Sequence, residues 1–197
     1  NEIKQINIES ADELEAVNQT AIRLCMRANI AIRVNPDVDA HTHHKITTGK
    51  SENKFGISWP EAFELYKKAS QMSGVRIRGI AIHIGSQILS LKPFEQAFKK
   101  LAAMIDQLEK EDIILQNIDI GGGLGVVYNY KKDKAIHAKD FAVVVEKHLG
   151  RFKKHLILEP GRKIVANAGL LVSSVLYNKK GENKDFLIID AGMNDFA

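Results

Sequence analysis

Short isoleucine-rich segments alternate with long stretches of helical periodicity along the 197-residue chain, and this alternation constrains the fold more than any other feature. The pattern predicts strands over 4–10 (KQINIES), 29–36 (NIAIRVNP), 79–86 (GIAIHIGS), 116–123 (QNIDIGGG) and 154–160 (KHLILEP). Between them it predicts helices over 10–28, 58–73, 92–111 and 137–151. Ser10 followed by Glu13 has capping-box spacing, and Leu14, Val17, Ala21, Leu24 and Cys25 fall on one helical face. Phe94, Phe98, Leu101, Ile105 and Leu108 mark the buried face of the third helix. Strands separated by helices pair in parallel, because parallel neighbours need a long crossover. The fold class is therefore α/β, as a (β/α)8 barrel or an open doubly wound sheet. Five strands are too few to close a barrel, which takes about 250 residues.

After Gly161 the pattern changes. Residues 168–193 read as two strands joined by the polar turn NKKGENK, with no helix between them. An antiparallel hairpin is expected there, opening an all-β second domain. The expected division is 1–166 for the α/β part and 167–197 for the beginning of the β domain. The chain is expected to be an internal piece of a longer protein.

Several function classes find no support. No apolar run approaches the ~20 residues of a membrane span, and the first ten residues lack the features of a signal peptide. Cys25 is the single cysteine, which excludes an internal disulfide and fits a reducing, cytoplasmic setting. The net charge of +4 comes from scattered lysines, and with 7% aromatic residues there is no basic stripe for nucleic acid. TTGKS at 47–51 resembles the end of a phosphate loop, but His44 stands where that motif needs glycine. HTHH at 41–44 reads as a solvated polar loop rather than a metal site, and NQT at 18–20 falls in an expected helix.

Parallel α/β sheets bind ligands beyond the C-terminal ends of their strands. Those ends are unusually polar here. The second carries Arg33, the third His83 and Ser86, the fourth Asp119 followed by Gly121, Gly122 and Gly123, and the fifth Glu159, Gly161 and Arg162. Three consecutive glycines pack nothing, so their use is close approach by a bulky group, and the N–H groups of such a turn suit a phosphate. A hydroxyl, an imidazole and a carboxylate beside them fit a phosphorylated aromatic cofactor. For pyridoxal 5′-phosphate the protein must hold the phosphate and control the charge on the pyridine nitrogen. Glu159 suits the nitrogen, Ser86 and the glycine turn suit the phosphate, and His83 suits the ring face.

IAIRVNP, TGKSENKFGI, AIHIGSQI, IDIGGGLGV, LEPGRKIVANAGLLV and LIIDAGMNDFA occur in this order along the chain. Together they resemble the diaminopimelate decarboxylases, pyridoxal-phosphate enzymes with an alanine-racemase-like TIM barrel. The resemblance implies roughly barrel strands four to eight, then the start of the β domain. It implies loss of CO2 from meso-diaminopimelate to give L-lysine, in a homodimer. By resemblance, His83 lies on the cofactor ring, Ser86 and Gly121 to Gly123 at the phosphate, and Glu159 at the pyridine nitrogen. Gly123 is the foremost phosphate contact. Gly161 and Arg162 lie beside the cofactor, and Arg162 also meets a substrate carboxylate. Arg33 and Asp119 support the site, Asp119 by orienting His83. The loop over 41–56 is expected near the mouth of the site. The family's Schiff-base lysine and its partner-subunit cysteine match nothing here, so the isolated chain is expected to be inactive. The alternatives are a related decarboxylase for ornithine, arginine or carboxynorspermidine, and a non-catalytic homologue.

Overall fold

The computed structural model describes residues 3–39 and 55–195. Five parallel strands form one sheet in sequence order: β1 (Ile6–Ile8), β2 (Ala28–Arg33), β3 (Val75–Ala81), β4 (Asn117–Asp119) and β5 (His155–Ile157). Helices α1 (Ala11–Arg23), α2 (Trp59–Ser70), α3 (Leu91–Lys110) and α4 (Ala138–Leu149) make the crossovers. The parallel α/β reading of the sequence is thus borne out, and the elements are shorter than periodicity suggests.

The trimming has local causes. Ser10 caps α1 by accepting from the Glu13 N–H, while the Glu13 carboxylate takes the N–H of Glu9. At the other end Cys25 adopts a left-handed conformation (φ 52°), and Met26 N–H returns to Ala21 C=O at 2.9 Å. That is a Schellman turn with cysteine in the place glycine usually fills. The helix therefore stops at Arg23 rather than 28, and Leu24 and Cys25 leave the buried face expected for them: both are exposed. Asp112 (φ 57°) ends α3 in the same way, with Ile113 N–H bonded to Leu108 C=O. The strand β3 begins earlier than expected, at Val75, and ends before His83.

The two faces of the sheet differ. Ile8, Ile32, Ile80 and Ile118 lie in one register row, all fully buried in the core against the helices. Phe94, Phe98, Leu101, Ile105 and Leu108 of α3 join that core as expected. Phe141 of α4 packs edge-on against Phe94 with centroids 5.1 Å apart. The neighbouring row, Asn7, Ala31, Gly79 and Asn117, is small and polar and faces the opposite way. A side chain at Gly79 would begin 2.8 Å from Asn117 O and 3.0 Å from Gln5 Oε1. Its absence admits Gln5, which accepts from Asn117 Nδ2 at 2.9 Å and donates to Asn7 Oδ1 at 3.0 Å. Asn7 Nδ2 then donates to Asp119 Oδ2 at 3.1 Å. Three strand spacings of a flat sheet cover about 14 Å, so a bond from β1 to β4 requires the sheet to curl toward this polar face.

The chain divides into two compact units, Asn1–Lys163 and Ile164–Ala197. A four-residue helix α5 (Arg162–Val165) lies at the division. In the second unit β6 (Val175–Lys179) pairs antiparallel with β7 (Phe186–Ile189), the hairpin expected from the sequence. Asp190 anchors it by accepting from Ser173 Oγ and the Ser174 N–H.

Candidate active site at the strand ends

The loops leaving β3, β4 and β5 are interlocked through bare backbone. Gly121 (φ 67°) and Gly123 (φ 98°) need conformations that L side chains rarely adopt. Between them, a Cβ on Gly122 would lie 2.0 Å from the Glu159 carbonyl oxygen. Glu159 N–H in turn donates to Gly121 C=O at 2.9 Å. On the other side a Cβ on Gly123 would lie 2.3 Å from Gly85 O, and Gly123 C=O accepts from Ile88 N–H at 2.9 Å. The three glycines are therefore the seam along which the His83–Ser86 loop and the Glu159 segment approach one another. The seam explains why a strand here runs into residues that pack nothing.

His83, Asp119, Glu159 and the glycine turn thus come together, with Ser86 on the adjoining loop next to Gly85. Two details differ from expectation. Gly121 N–H donates to Asp119 Oδ1 at 2.9 Å and Gly122 N–H to His83 Nδ1 at 3.2 Å. These amides are engaged within the fold, and Gly123 is the member of the turn whose N–H has no partner among the described residues. Asp119 also holds the turn itself: it is buried, with one carboxylate oxygen on Gly121 and the other on Asn7. Gly122 N–H bonds the His83 ring directly, and the Asp119 charge acts on it as well. Because its Nδ1 accepts, the ring proton of the neutral imidazole sits on Nε2. Ser86 is half-buried in the loop, between Gly85 (φ 137°) and Gln87 (φ 62°).

Electrostatics separate the titratable groups. Burial, then the positive charge of Arg33, holds His83 below its ordinary value of 6.5, with Asp119 opposing. The Glu159 carboxyl moves the other way. Although the residue is exposed along one side, partial burial raises its pKa above 4.5, followed by the Asp119 charge, while Arg33 pulls it down. Arg33, the last residue of β2, thus acts on both groups. Its guanidinium pairs with Glu9 Oε1 at 2.6 Å and lies 5.4 Å from the Phe55 ring centroid. Gly161 (φ 32°) and Arg162 follow Glu159, and both are exposed. No hydrogen bond or ion pair ties Arg162 to the other site residues among the described residues.

One contributor escaped sequence reading: Glu9 looked like the end of a strand before a cap. Gln87 belongs to the polar end of the third strand, but its partner could not be read from the sequence. Gln87 bonds both backbone groups of Val126, accepting its N–H at 3.1 Å and donating to its C=O at 2.6 Å. The position of Gln87 immediately after Gly-Ser was the available signal. The expected loop over 41–56 lies outside the described residues except for Phe55 and Gly56, as do HTHH and TTGKS. No cluster of metal-ligating side chains occurs among the described residues, and no helix there is long and apolar enough to cross a membrane.

The donor set fits pyridoxal phosphate: a glycine turn with one uncommitted amide, a nearby serine, an oriented imidazole and a carboxyl that favours its proton. Residues 1–166 match the family model described as the pyridoxal binding domain of pyridoxal-dependent decarboxylases. The chain is 46% identical over 194 residues to diaminopimelate decarboxylase of Haemophilus influenzae, spanning 98% of this chain and 46% of that protein. It superposes on the diaminopimelate decarboxylase of Helicobacter pylori complexed with L-lysine with a TM-score of 0.91 at 42% identity, covering 98% of this chain and 48% of that one. The M. jannaschii enzyme in complex with L-lysine gives 0.86 at 38% identity, over 98% and 46%. The chain spans about half the length of these relatives. With a donor set that suits the cofactor and a family match over residues 1–166, this chain belongs to the pyridoxal-dependent decarboxylases and carries their pyridoxal binding domain.

Proposed function

We propose that the intact protein containing this chain decarboxylates meso-diaminopimelate to L-lysine and CO2 with pyridoxal 5′-phosphate. The observation that carries the reading is the glycine seam, which sets His83 and Glu159 on either side of Gly122. The bound cofactor supplies an electron sink for the bond broken at the substrate α-carbon. Glu159 holds a proton where the pyridine nitrogen can share it, a role its raised pKa favours. His83, neutral because of burial and Arg33, lies against the ring face without adding charge. Ser86 Oγ and the Gly123 N–H hold the phosphate, with Gly121 and Gly122 shaping the turn. Gly161 brings Arg162 beside the cofactor, and the planar guanidinium of Arg162 suits a substrate carboxylate. Asp119 fixes the turn, and Arg33 sets the charge balance between His83 and Glu159.

On this reading the curled sheet is strands four to eight of a (β/α)8 barrel. Residues 1–166 are the barrel part and 167–197 the start of the β domain. The intact protein is a cytoplasmic homodimer. The test is CO2 release by the intact protein loaded with pyridoxal phosphate, with meso-diaminopimelate, ornithine and arginine offered separately. Release from diaminopimelate alone, falling about 100-fold or more in Glu159→Gln, is the expected result. Release from ornithine or arginine in its place overturns the substrate assignment.

A further inference from the structure

Glu9 makes a pair of contacts that join the site to the chain returning from the 40–54 segment. One carboxylate oxygen meets Arg33 Nη1 at 2.6 Å, and the other accepts the Gly56 N–H at 3.1 Å. The backbone N–H of Glu9 is held by Glu13, so the carboxylate projects from a fixed point at the start of α1. Around it the returning chain is seated on β2: Ile57 N–H donates to Arg33 C=O at 2.9 Å and Asn35 N–H to Ile57 C=O at 2.8 Å. Gly56 takes φ 76°, and a Cβ there would lie 3.0 Å from Asn35 N. Phe55, the neighbouring residue, faces the Arg33 guanidinium. One carboxylate therefore fixes both the cation beside His83 and Glu159 and the backbone that re-enters the fold next to it.

We infer that Glu9 is a positioning residue that couples the placement of Arg33 to the seating of the Phe55–Gly56 segment at the rim of the site. This rests on the cofactor reading for its consequence and on geometry alone for the contact. A carboxylate has lone pairs for both donors at once, whereas a glutamine oxygen offers one acceptor atom and the adjacent NH2 repels either donor. Glu9→Gln consequently keeps one contact and loses the other. An aspartate, one methylene shorter, keeps its charge near Arg33 but falls short of the Gly56 amide.

The experiment uses the intact protein, with hydrogen exchange of the peptide containing Gly56 and the absorbance of bound pyridoxal phosphate as a function of pH. In Glu9→Asp, Gly56 exchange accelerates by about tenfold, as for loss of a charge-assisted bond, and the spectral pH profile stays as in the parent. In Glu9→Gln, exchange accelerates or the pH profile moves, with α1 as protected as in the parent. Parental Gly56 exchange in Glu9→Asp, or no change in either readout in Glu9→Gln, overturns the inference. If the parent takes up no pyridoxal phosphate, the cofactor reading fails instead, and the Gly56 readout still decides the contact.

Discussion

Asn7 and Asp119 are 112 residues apart in sequence, lie on strands separated by two others, and share a hydrogen bond of 3.1 Å. Asp119 is 2% exposed, and its other oxygen holds the Gly121 amide, so the bond joins the curl of the sheet to the glycine turn. Asn7→Ala leaves a buried carboxylate oxygen short of a donor. The expected loss is about 1–3 kcal/mol, read from the urea midpoint, and an unchanged midpoint would count against the cross-sheet bond.

Gly122→Ala places a methyl group 2.0 Å from the Glu159 carbonyl, and backbone cannot step aside as a flexible side chain can. The end of β5 must move, taking Glu159 with it. Pyridoxal-phosphate affinity is expected to fall by about tenfold or more, the factor for one lost hydrogen bond to a charged group. Fluorescence titration of the intact protein measures it. Gly161→Ala, where only Glu159 O at 3.9 Å approaches but φ is 32°, would carry backbone strain instead of a clash.

The shifts of His83 and Glu159 give opposite pH slopes. The folded His83 binds its proton less readily than the unfolded one, so stability rises with pH from the folded pKa up to 6.5. Below that window the full penalty of charging a buried imidazole remains. Glu159 binds its proton more readily when folded, so its contribution is present at low pH and is lost as pH rises from 4.5 through the folded value. Urea midpoints of the cofactor-free intact protein from pH 4 to 7, compared with those of His83→Gln and Glu159→Gln, check both. His83→Gln should flatten the rise toward 6.5, and Glu159→Gln should remove the decline above 4.5.

Tyr66 is fully buried and donates its hydroxyl to Gly79 C=O at 2.9 Å. Burial pushes its phenol far above the ordinary 10, so it is a neutral donor at every accessible pH. Tyr66→Phe removes the only atom that bonds and keeps the ring. A loss of about 1 kcal/mol is expected, seen as a lower urea midpoint with pyridoxal-phosphate affinity unchanged. An affinity loss would show that Gly79 transmits to the site.

Periodicity made the parallel sheet legible because strand and helix repeats differ, and Ile32, Ile80 and Phe98 advertise their burial. The strand ends were legible because His83, Asp119 and Glu159 are polar where apolar residues are expected. What stayed hidden depends on pairing across the chain. Cys25 gave no sign of a left-handed turn, since that conformation usually belongs to glycine. The engagement of the Gly121 and Gly122 amides depends on where Asp119 and His83 point, which no one-dimensional pattern encodes. Glu9 reads as a cap neighbour until Gly56 is folded against it.

The Gln87 carboxamide copies a peptide group, offering Val126 one donor and one acceptor as an adjacent strand would. A side chain can be exchanged by a single mutation, whereas a strand cannot, so the stiffness of the segment after the glycines is open to gradual tuning. Substituting glutamate would keep the acceptor and delete the donor, loosening that stretch by half a rung. A change at this one place thus alters how freely the neighbouring turn breathes while leaving every other feature of the architecture as it is.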